Sequence, residues 1–260
     1  MNPLVLTALV LGVIAFLAWV LSVKLRDVSI VDIGWGGAYA LVAGTTLYTL
    51  DEVSARAWLL LILVSLWGLR LTIFLGMRNI GHGEDRRYAA MRASIGPRYW
   101  WVSLFSVFGL QVGLIWGISM PIQMGMASPP SSLGLLDGMG IGLWAVGLYF
   151  ESVGDYQLAR FKRDPANAGK VMDTGLWAYT RHPNYFGDFC VWWGIYLVAV
   201  GAGAAWTVFS PLVMSVLLLK VSGVTLLEKT IGERRPGYAA YVARTNSFFP
   251  WPPRRSKPST

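Results

Sequence analysis

The sequence predicts an all-helical protein that is embedded in a membrane. Hydrophobic residues make up 55% of its 260 positions and charged residues only 14%, a balance that soluble domains do not show. Several apolar runs of about 20 residues are long enough to cross a bilayer as helices. These runs are continuously apolar and do not alternate with a period of two, so they do not fit a transmembrane β-barrel.

The apolar runs predict seven membrane spans and therefore one membrane domain. The predicted spans are Pro3–Ser22, Ile30–Leu50, Ala57–Met77, Trp100–Met124, Leu135–Leu158, Tyr185–Gly201 and Trp206–Leu227. We expect residues 1–250 to form a single seven-helix domain and residues 251–260 to form a disordered tail. Glycines spaced by four within the fourth span predict a face for close helix packing.

The distribution of basic residues predicts an orientation in the membrane. Lys and Arg cluster after the first, third, fifth and seventh spans, whereas the other three connections hold only Arg56. This positive-inside pattern places the N-terminus outside and the C-terminus in the cytoplasm, and we expect a bacterial inner membrane. The net charge of +8 is thus explained by orientation, and we expect no nucleic-acid partner. The single cysteine, Cys190, excludes a multi-cysteine metal site, and we expect no metal.

The most polar segment of the chain is Gly175–Asp188, which lies directly before an apolar run. Polar groups this dense at the mouth of a span are costly unless they bind something. Pro183 suits the first turn of a helix, and on that helix Asn184 and Asp188 share a face. Arg181 lies beside the positive end of the same helix, so the segment predicts an anion-binding entrance for a cofactor phosphate.

Two other groups could line the same cavity. Glu151, Asp155 and Lys162 recur near helical spacing at the end of the fifth span. The cytoplasmic tail offers guanidinium groups and aromatic rings, which suit an adenine nucleotide. These tail residues are Arg234, Arg235, Tyr238, Tyr241 and Arg244. Ordinary interfacial charges and contacts with anionic lipid are the alternative interpretation.

Two ionisable residues lie in the N-terminal spans. Asp32 either lines a cavity, where it accepts or donates a proton, or sits at the interface with water. The glycines that follow it could simply allow close helix packing. Arg70 lies well inside an apolar run, where it either snorkels to the interface or has an anionic partner or a water-filled cavity; its depth favours a partner. Asp32 and a cofactor phosphate are both candidate partners for Arg70.

Three segments resemble the steroid 5α-reductase family and its bacterial relatives. They are Gly-Asp-Tyr-Gln-Leu around Asp155, the segment Gly175–Asp188, and Arg235-Pro-Gly-Tyr through Phe249-Pro. The resemblance covers the C-terminal half well and the N-terminal half loosely. Arg-His-Pro-Asn-Tyr, which begins at Arg181, is also shared with sterol reductases and isoprenylcysteine carboxyl methyltransferases.

The resemblance implies NADPH as cofactor and assigns roles to particular residues. Asn184 and Asp188 match the positions that contact the nicotinamide end, and Tyr179 and Arg181 match the loop at the ribose and phosphates. Asp32 and Trp67 occupy the regions of the Glu–Tyr pair that polarises the steroid ketone, so we expect them to be catalytic. The full set of expected cofactor residues is Arg70, Glu151, Asp155, Lys162, Tyr179, Arg181, His182, Asn184, Tyr185, Asp188, Glu228, Arg234, Arg235, Tyr238, Tyr241 and Arg244.

The implied reaction is reduction of the C4–C5 double bond of a 3-oxo-Δ4 steroid or a similar polycyclic enone. Such a protein orients the nicotinamide, excludes water and places a donor at the substrate oxygen. A membrane methyltransferase that uses S-adenosylmethionine is the alternative enzyme, and that ligand needs no phosphate pocket. A lipid transporter or lipid-binding protein would show broken helices and internal repeats, and we find no repeat. The expected partners are the steroid and membrane lipid, and the sequence specifies no oligomeric state.

Overall fold

The computed structural model describes residues 2–221, 228 and 235–254. Helix accounts for 78% of the structure, and no strand occurs among the described residues. The predicted all-helical class is therefore confirmed. The predicted disordered tail is described only for residues 251–254, where Trp251 and Arg254 donate backbone hydrogen bonds to the carbonyls of Tyr179 and Arg244. Residues 255–260 lie outside the described residues.

Long apolar helices dominate the first half, and two long helices begin the second. The first seven are α1 (Pro3–Leu25), α2 (Ile30–Tyr48), α3 (Ala55–Asn79), α4 (Arg86–Ile95), α5 (Tyr99–Ser103), α6 (Leu110–Ile118) and α7 (Met120–Met126). The others are α8 (Leu135–Arg163), α9 (Pro183–Gly201), α10 (Phe209–Val216) and α11 (Tyr238–Arg244). Of the described residues, four stretches are long and apolar enough to cross a membrane: α1, α2, α3 and Arg86–Ile118. This composition fits an integral membrane protein.

The predicted fourth and seventh spans are irregular in the structure. A π-helical turn, Leu104–Gly109, separates α5 from α6, and the helix breaks again at Ser119. Pro121 explains this break, because proline lacks the amide hydrogen that a continuous helix needs and clashes with the preceding turn. The predicted span Trp206–Leu227 begins as a 3₁₀ turn, continues as α10 and ends in a π-helical turn at Val221. Residues 222–227 lie outside the described residues.

The described chain divides into two compact units. Unit 1 is Met1–Asp137 with Val198–Ser210, and unit 2 is Gly138–Leu197 with Pro211–Thr260. In unit 1, α2 and α3 touch through Gly36 and Gly68, where an added Cβ would lie only 2.3–2.4 Å from the opposite carbonyl oxygen. This confirms that a glycine after Asp32 serves close packing. The predicted packing face in the fourth span is wrong at Gly113 and Gly117, because a Cβ there would meet nothing within 4 Å.

Unit 1 also contains a buried ion pair between Arg56 and Asp137. Arg56 binds Asp137 through Nε and Nη2, both at 2.8 Å, and the two side chains are 3% and 2% exposed. The same guanidinium donates to the Ser131 hydroxyl and to the Ser132 carbonyl. The pair therefore fixes the turn that precedes α8.

In unit 2, α8 and α9 lie in backbone contact. A Cβ on Gly187 would be 2.5 Å from the Gly147 carbonyl oxygen and 2.7 Å from Glu151 Cγ. Gly194 makes a second such contact with Gly140, and Pro183 packs on Gly154. The contact glycines of α8 are thus spaced by seven residues, as on a helix that keeps one seam towards its neighbour.

Candidate cofactor site

The contact between α8 and α9 brings buried polar groups together in unit 2. Glu151 and Asp155 lie on α8 after Gly147 and are 3% and 6% exposed. Asn184, in the first turn of α9, donates its Nδ2 hydrogen to Asp155 Oδ1 at 3.3 Å. Glu151 Cγ lies against Gly187, which directly precedes Asp188 in the sequence. The predicted start of the helix at Pro183 is confirmed, and it places Asn184 and Asp188 four residues apart on one side of α9.

The polar segment before α9 is held by the C-terminal part of the chain. Thr180 pairs with Asn246 in an isolated β-bridge, and the Arg181 amide donates to the Asn246 carbonyl at 2.9 Å. The Thr180 hydroxyl donates to the Phe248 carbonyl at 2.7 Å. The C-terminal segment therefore fixes the backbone from which the Arg181 side chain departs.

Arg181 and His182 converge on one carboxylate. Arg181 donates to Glu228 from Nε at 2.8 Å and from Nη2 at 3.0 Å, while its Nη1 donates to the Thr245 carbonyl at 2.7 Å. His182 Nε2 lies 2.9 Å from the same Glu228 carboxylate, and its ring stacks on Tyr185. The charge of Arg181 is thus already matched, and phosphate binding by this residue stays a prediction.

The electrostatics of this cluster follow from burial and hydrogen bonding. Burial would raise the pKa of Glu228, but the hydrogen bonds from His182 and Arg181 outweigh it and lower the pKa to about 2. Burial would lower the pKa of Arg181, but the hydrogen bonds to Glu228 raise it. Burial raises the pKa of both Tyr238 and Tyr241. At neutral pH the cluster therefore holds an anionic Glu228, a cationic Arg181 and two protonated tyrosines.

The remaining predicted cofactor residues of unit 2 differ in their contacts and exposure. Arg244 forms an ion pair with Asp173, and Arg235 donates to the Lys170 carbonyl. Tyr241 donates its hydroxyl to the Trp177 carbonyl at 2.6 Å. Two predicted residues, Lys162 and Tyr179, are exposed. The predicted residue Arg234 lies outside the described residues.

Unit 1 contains a separate acid–tyrosine pair. Asp32 accepts one hydrogen bond from the Tyr88 hydroxyl and one from Arg87 Nη2, both at 2.8 Å. The sequence analysis assigns no role to Tyr88, because its partner Asp32 lies 56 residues away along the chain. Arg87 also binds Asp85 at 3.0 Å. The available signal was the position of Tyr88, which directly follows a run of charged residues at the start of α4.

The other predicted residues of unit 1 lie near aromatic rings. Trp67 is fully buried, and its ring centroid lies 5.8 Å from that of Tyr39. The Arg70 guanidinium carbon lies 5.6 Å from the centre of the Phe74 ring, a distance that suits a cation–π contact. A catalytic role for Trp67 and a cofactor role for Arg70 stay predictions.

Comparison with known proteins places the chain in a family. The family described as "Protein of unknown function (DUF1295)" matches residues 18–245, so the chain is a member of that family. This family lies in the steroid 5α-reductase superfamily. The chain is also similar to the uncharacterized protein C594.04c of Schizosaccharomyces pombe, with 26% identity across 96% of this chain and 80% of the relative. No solved structure matches the chain.

Proposed function

We propose that the protein is an NADPH-dependent membrane reductase that acts on the C4–C5 double bond of 3-oxo-Δ4 steroids or similar polycyclic enones. The observation that carries this proposal is the polar contact between α8 and α9, in which the half-buried Asn184 donates to the buried Asp155 at 3.3 Å. Ionisable groups buried between membrane helices usually serve function, because burying them without a purpose is costly. Membership of the steroid 5α-reductase superfamily supports the same class of chemistry.

The side chains of the α8–α9 contact fit the nicotinamide end of the cofactor. A nicotinamide carboxamide presents one donor group and one acceptor, which an amide and a carboxylate can match. Asn184 supplies the amide, and Asp188 and Glu151 supply carboxylates on the same pair of helices. When bound, NADPH would supply the hydride. The chain itself would orient the ring and exclude water from it.

The fit at the phosphate end is looser. Arg235 and Lys162 are the proposed phosphate contacts, and the exposed Tyr179 ring suits an adenine face. Arg181 would act by fixing the loop, because Glu228 and the Thr245 carbonyl already use its donors.

Asp32 stays the proposed catalytic residue, and Tyr88 is its hydrogen-bonded partner at 2.8 Å. The single hydrogen of the Tyr88 hydroxyl goes to Asp32, so a substrate carbonyl oxygen would receive it only after the hydroxyl turns away from that carboxylate. A donor at this oxygen stabilises the negative charge that develops when the double bond is reduced. Asp32 accepts from both Tyr88 and Arg87, which fits a carboxylate that orients rather than donates.

The proposal includes seven membrane spans, with the N-terminus outside and the cofactor residues on the cytoplasmic side of a bacterial inner membrane. The positive-inside distribution of Lys and Arg supports this topology. Four described stretches satisfy length and hydropathy for a span, and α8 and α9, with 29 and 19 residues, are also long enough to cross.

One observation favours the methyltransferase alternative. Arg181 is the basic residue that begins the shared Arg-His-Pro-Asn-Tyr segment, and its charge is matched by Glu228. A site with fewer unmatched cations suits S-adenosylmethionine, which carries no phosphate. Binding of the two ligands therefore separates the two functions.

The test uses the full-length protein purified in detergent, with NADPH, NADH and S-adenosylmethionine as ligands and progesterone as the 3-oxo-Δ4 substrate. We expect NADPH binding and a product heavier by two hydrogens. Asn184→Ala should lower turnover by roughly 100-fold through misplacement of the ring while NADPH affinity falls less. Arg160→Ala, an exposed change at the end of α8, serves as the control and should keep wild-type turnover. Tyr88→Phe should lower turnover and leave the NADPH affinity unchanged.

Two outcomes would contradict the proposal. The first is binding of S-adenosylmethionine without any binding of a nicotinamide cofactor. The second is wild-type turnover by a folded Asn184→Ala protein, which would remove this residue from the active site. Thermal unfolding of each variant in detergent distinguishes a lost site from a lost fold.

A further inference from the structure

Unit 1 contains a cavity of about 600 Å³ at the C-terminal end of α1. Its walls come from the end of α1, the turn that follows it, and the region from α4 to α5. The lining residues are Ser22, Val23, Arg26, Val28, Arg92, Gly96, Pro97, Tyr99, Trp100 and Ser103. None of them belongs to the proposed reductase residues. A volume of this size is typical of small-molecule sites, which span about 300–1,000 Å³.

Two arginines, Arg26 and Arg92, line the cavity. Arg92 binds Glu84 through Nε at 2.9 Å and Nη2 at 2.7 Å, and its guanidinium carbon lies 4.7 Å from the centre of the Tyr99 ring. These contacts fix the direction of Arg92 and leave its Nη1 as a donor. Glu84 balances the charge of Arg92. Arg26 is exposed and forms no ion pair in the part of the chain that the structure describes, so it supplies the net charge.

The backbone holds Arg26 in an unusual conformation at the mouth of the cavity. Arg26 closes α1 with φ 54° and ψ 37°, and its amide donates to the carbonyls of Ser22 and Val23. Among the described residues it is the one non-glycine with a positive φ. Glycine or asparagine usually occupies this cap position, since other side chains are strained there. Strained residues of this kind concentrate at binding sites, where the side chain is needed.

A buried hydroxyl provides an independent observation. Tyr99 is 1% exposed, and its hydroxyl has no hydrogen-bond partner among the described residues. A buried polar group without a partner is costly, so a bound ligand that accepts its hydrogen would stabilise the site. Ser22 and Ser103 are also fully buried, but their hydroxyls already donate to the carbonyls of Trp19 and Trp100. Tyr99 therefore adds one unused donor to those of the two arginines.

We propose that this cavity binds the phosphate group of a phosphate ester, with Arg26 as the principal anchor and Arg92 and Tyr99 as further donors. Guanidinium groups match phosphate oxygens in geometry and charge. The source could be a lipid headgroup or a soluble phosphate ester. The position favours the lipid, because basic residues that directly follow an apolar span attract anionic headgroups. Exposed Leu21 and Leu25 lie beside Arg26 in sequence and could contact an acyl chain.

The test compares lipid retention by the full-length protein and two variants, using native mass spectrometry from detergent. The probes are dioleoyl phosphatidylglycerol, dioleoylglycerol as the same lipid chains without phosphate, and glycerol 3-phosphate as a soluble ester. Arg26→Gly removes the charge and suits the backbone, so this variant should unfold at the same temperature as wild type or higher. Arg98→Gln is the matched control, because Arg98 is exposed and close in sequence to Arg92 but does not line the cavity.

We expect the wild type to retain phosphatidylglycerol, Arg26→Gly to retain about tenfold less, and Arg98→Gln to retain as much as wild type. Binding of glycerol 3-phosphate with the same dependence on Arg26, without retained lipid, would support the phosphate site and identify a soluble source. Unchanged retention by Arg26→Gly would overturn the proposal. Equal loss in both variants would also overturn it, because it would show binding by general surface charge. Equal retention of dioleoylglycerol would show that the chains, not the phosphate, are recognised.

Discussion

The backbone contact between α8 and α9 makes Gly147→Ala the sharpest single test of the fold and of the candidate site together. A Cβ at Gly147 would lie 2.5 Å from the Gly187 carbonyl oxygen and 2.7 Å from the Val191 amide nitrogen. Both atoms belong to backbone, so no side chain can rotate away. The two helices must therefore separate, by about 0.5 Å to bring the closest contact to 3.0 Å, which is the shortest that real Cβ atoms show.

The cost follows from the packing that this separation loses. A gap of about 0.5 Å forfeits roughly a quarter of the dispersion energy of each atom pair, and each pair contributes about 0.1–0.2 kcal/mol. With about 40 pairs at the crossing, the loss is about 1.5 kcal/mol, which agrees with the roughly 1–3 kcal/mol typical of overpacked cores. For a chain of this length, where about 1 kcal/mol shifts the midpoint by roughly 2–4 °C, we expect the unfolding temperature to fall by about 3–6 °C.

The same separation should weaken the candidate site. The Asn184–Asp155 hydrogen bond is 3.3 Å long, so a further 0.5 Å would break it. Since misplacement by about 1 Å can cost roughly 100-fold in rate, we expect turnover to fall about tenfold in Gly147→Ala.

The control for this experiment lies on the same helix. A Cβ at Gly142 would meet nothing within 4 Å, so Gly142→Ala should leave the unfolding temperature unchanged or raise it, as alanine favours helix by up to about 1 kcal/mol. Thermal unfolding in detergent, followed by tryptophan fluorescence, measures both variants. Equal unfolding temperatures for Gly147→Ala and Gly142→Ala would refute the contact between α8 and α9.

Two further predictions concern ion pairs. The folded-state pKa of Glu228 is about 2, below its ordinary value of 4.5. Its contribution to stability is therefore present above pH 4.5 and is lost as the pH falls towards 2. The unfolding temperature should fall across that pH range for wild type and change less for Glu228→Gln. Arg56→Met leaves Asp137 buried without its partner and should lower the free energy of unfolding by about 3–5 kcal/mol, whereas the double variant Arg56→Met/Asp137→Leu should recover much of it. Unfolding in denaturant measures the stability of the single and the double variant. Arg56→Met as stable as wild type would contradict the buried ion pair.

The sequence was sufficient to predict features that depend on local spacing. Continuous apolar runs predicted helices, and proline chemistry predicted the start of α9 at Pro183, which the structure confirms. The sequence also suggested that Asp155 could line the same cavity as the segment before α9, and the hydrogen bond between Asp155 and Asn184 is consistent with that suggestion. A packing role for a glycine near Asp32 was likewise foreseen, and Gly36 fills it.

Partners that are distant along the chain were not predictable in the same way. His182 and Glu228 are 46 residues apart, and Asp32 and Tyr88 are 56 apart, so only the tertiary fold brings them together. The contact glycines of α8 and α9 are spaced by seven residues, a pattern that the four-residue packing motif does not include. Spacing alone also misled at Gly113, where the four-residue pattern faces open space.

The ion pairs weaken the support that the basic residues gave to a nucleotide site. The guanidinium groups of Arg181 and of the tail suggested a site for a nucleotide, yet Arg181 is matched by Glu228 and Arg244 by Asp173. The count of basic residues therefore overstates the positive charge that a phosphate would meet. The contact between Asn184 and Asp155 does not depend on that count, because it arises from helix packing and buries groups that suit a carboxamide. The proposal of a nicotinamide cofactor therefore rests on the α8–α9 contact more than on the basic surface, and variants at Asn184 test it more directly than variants at the arginines.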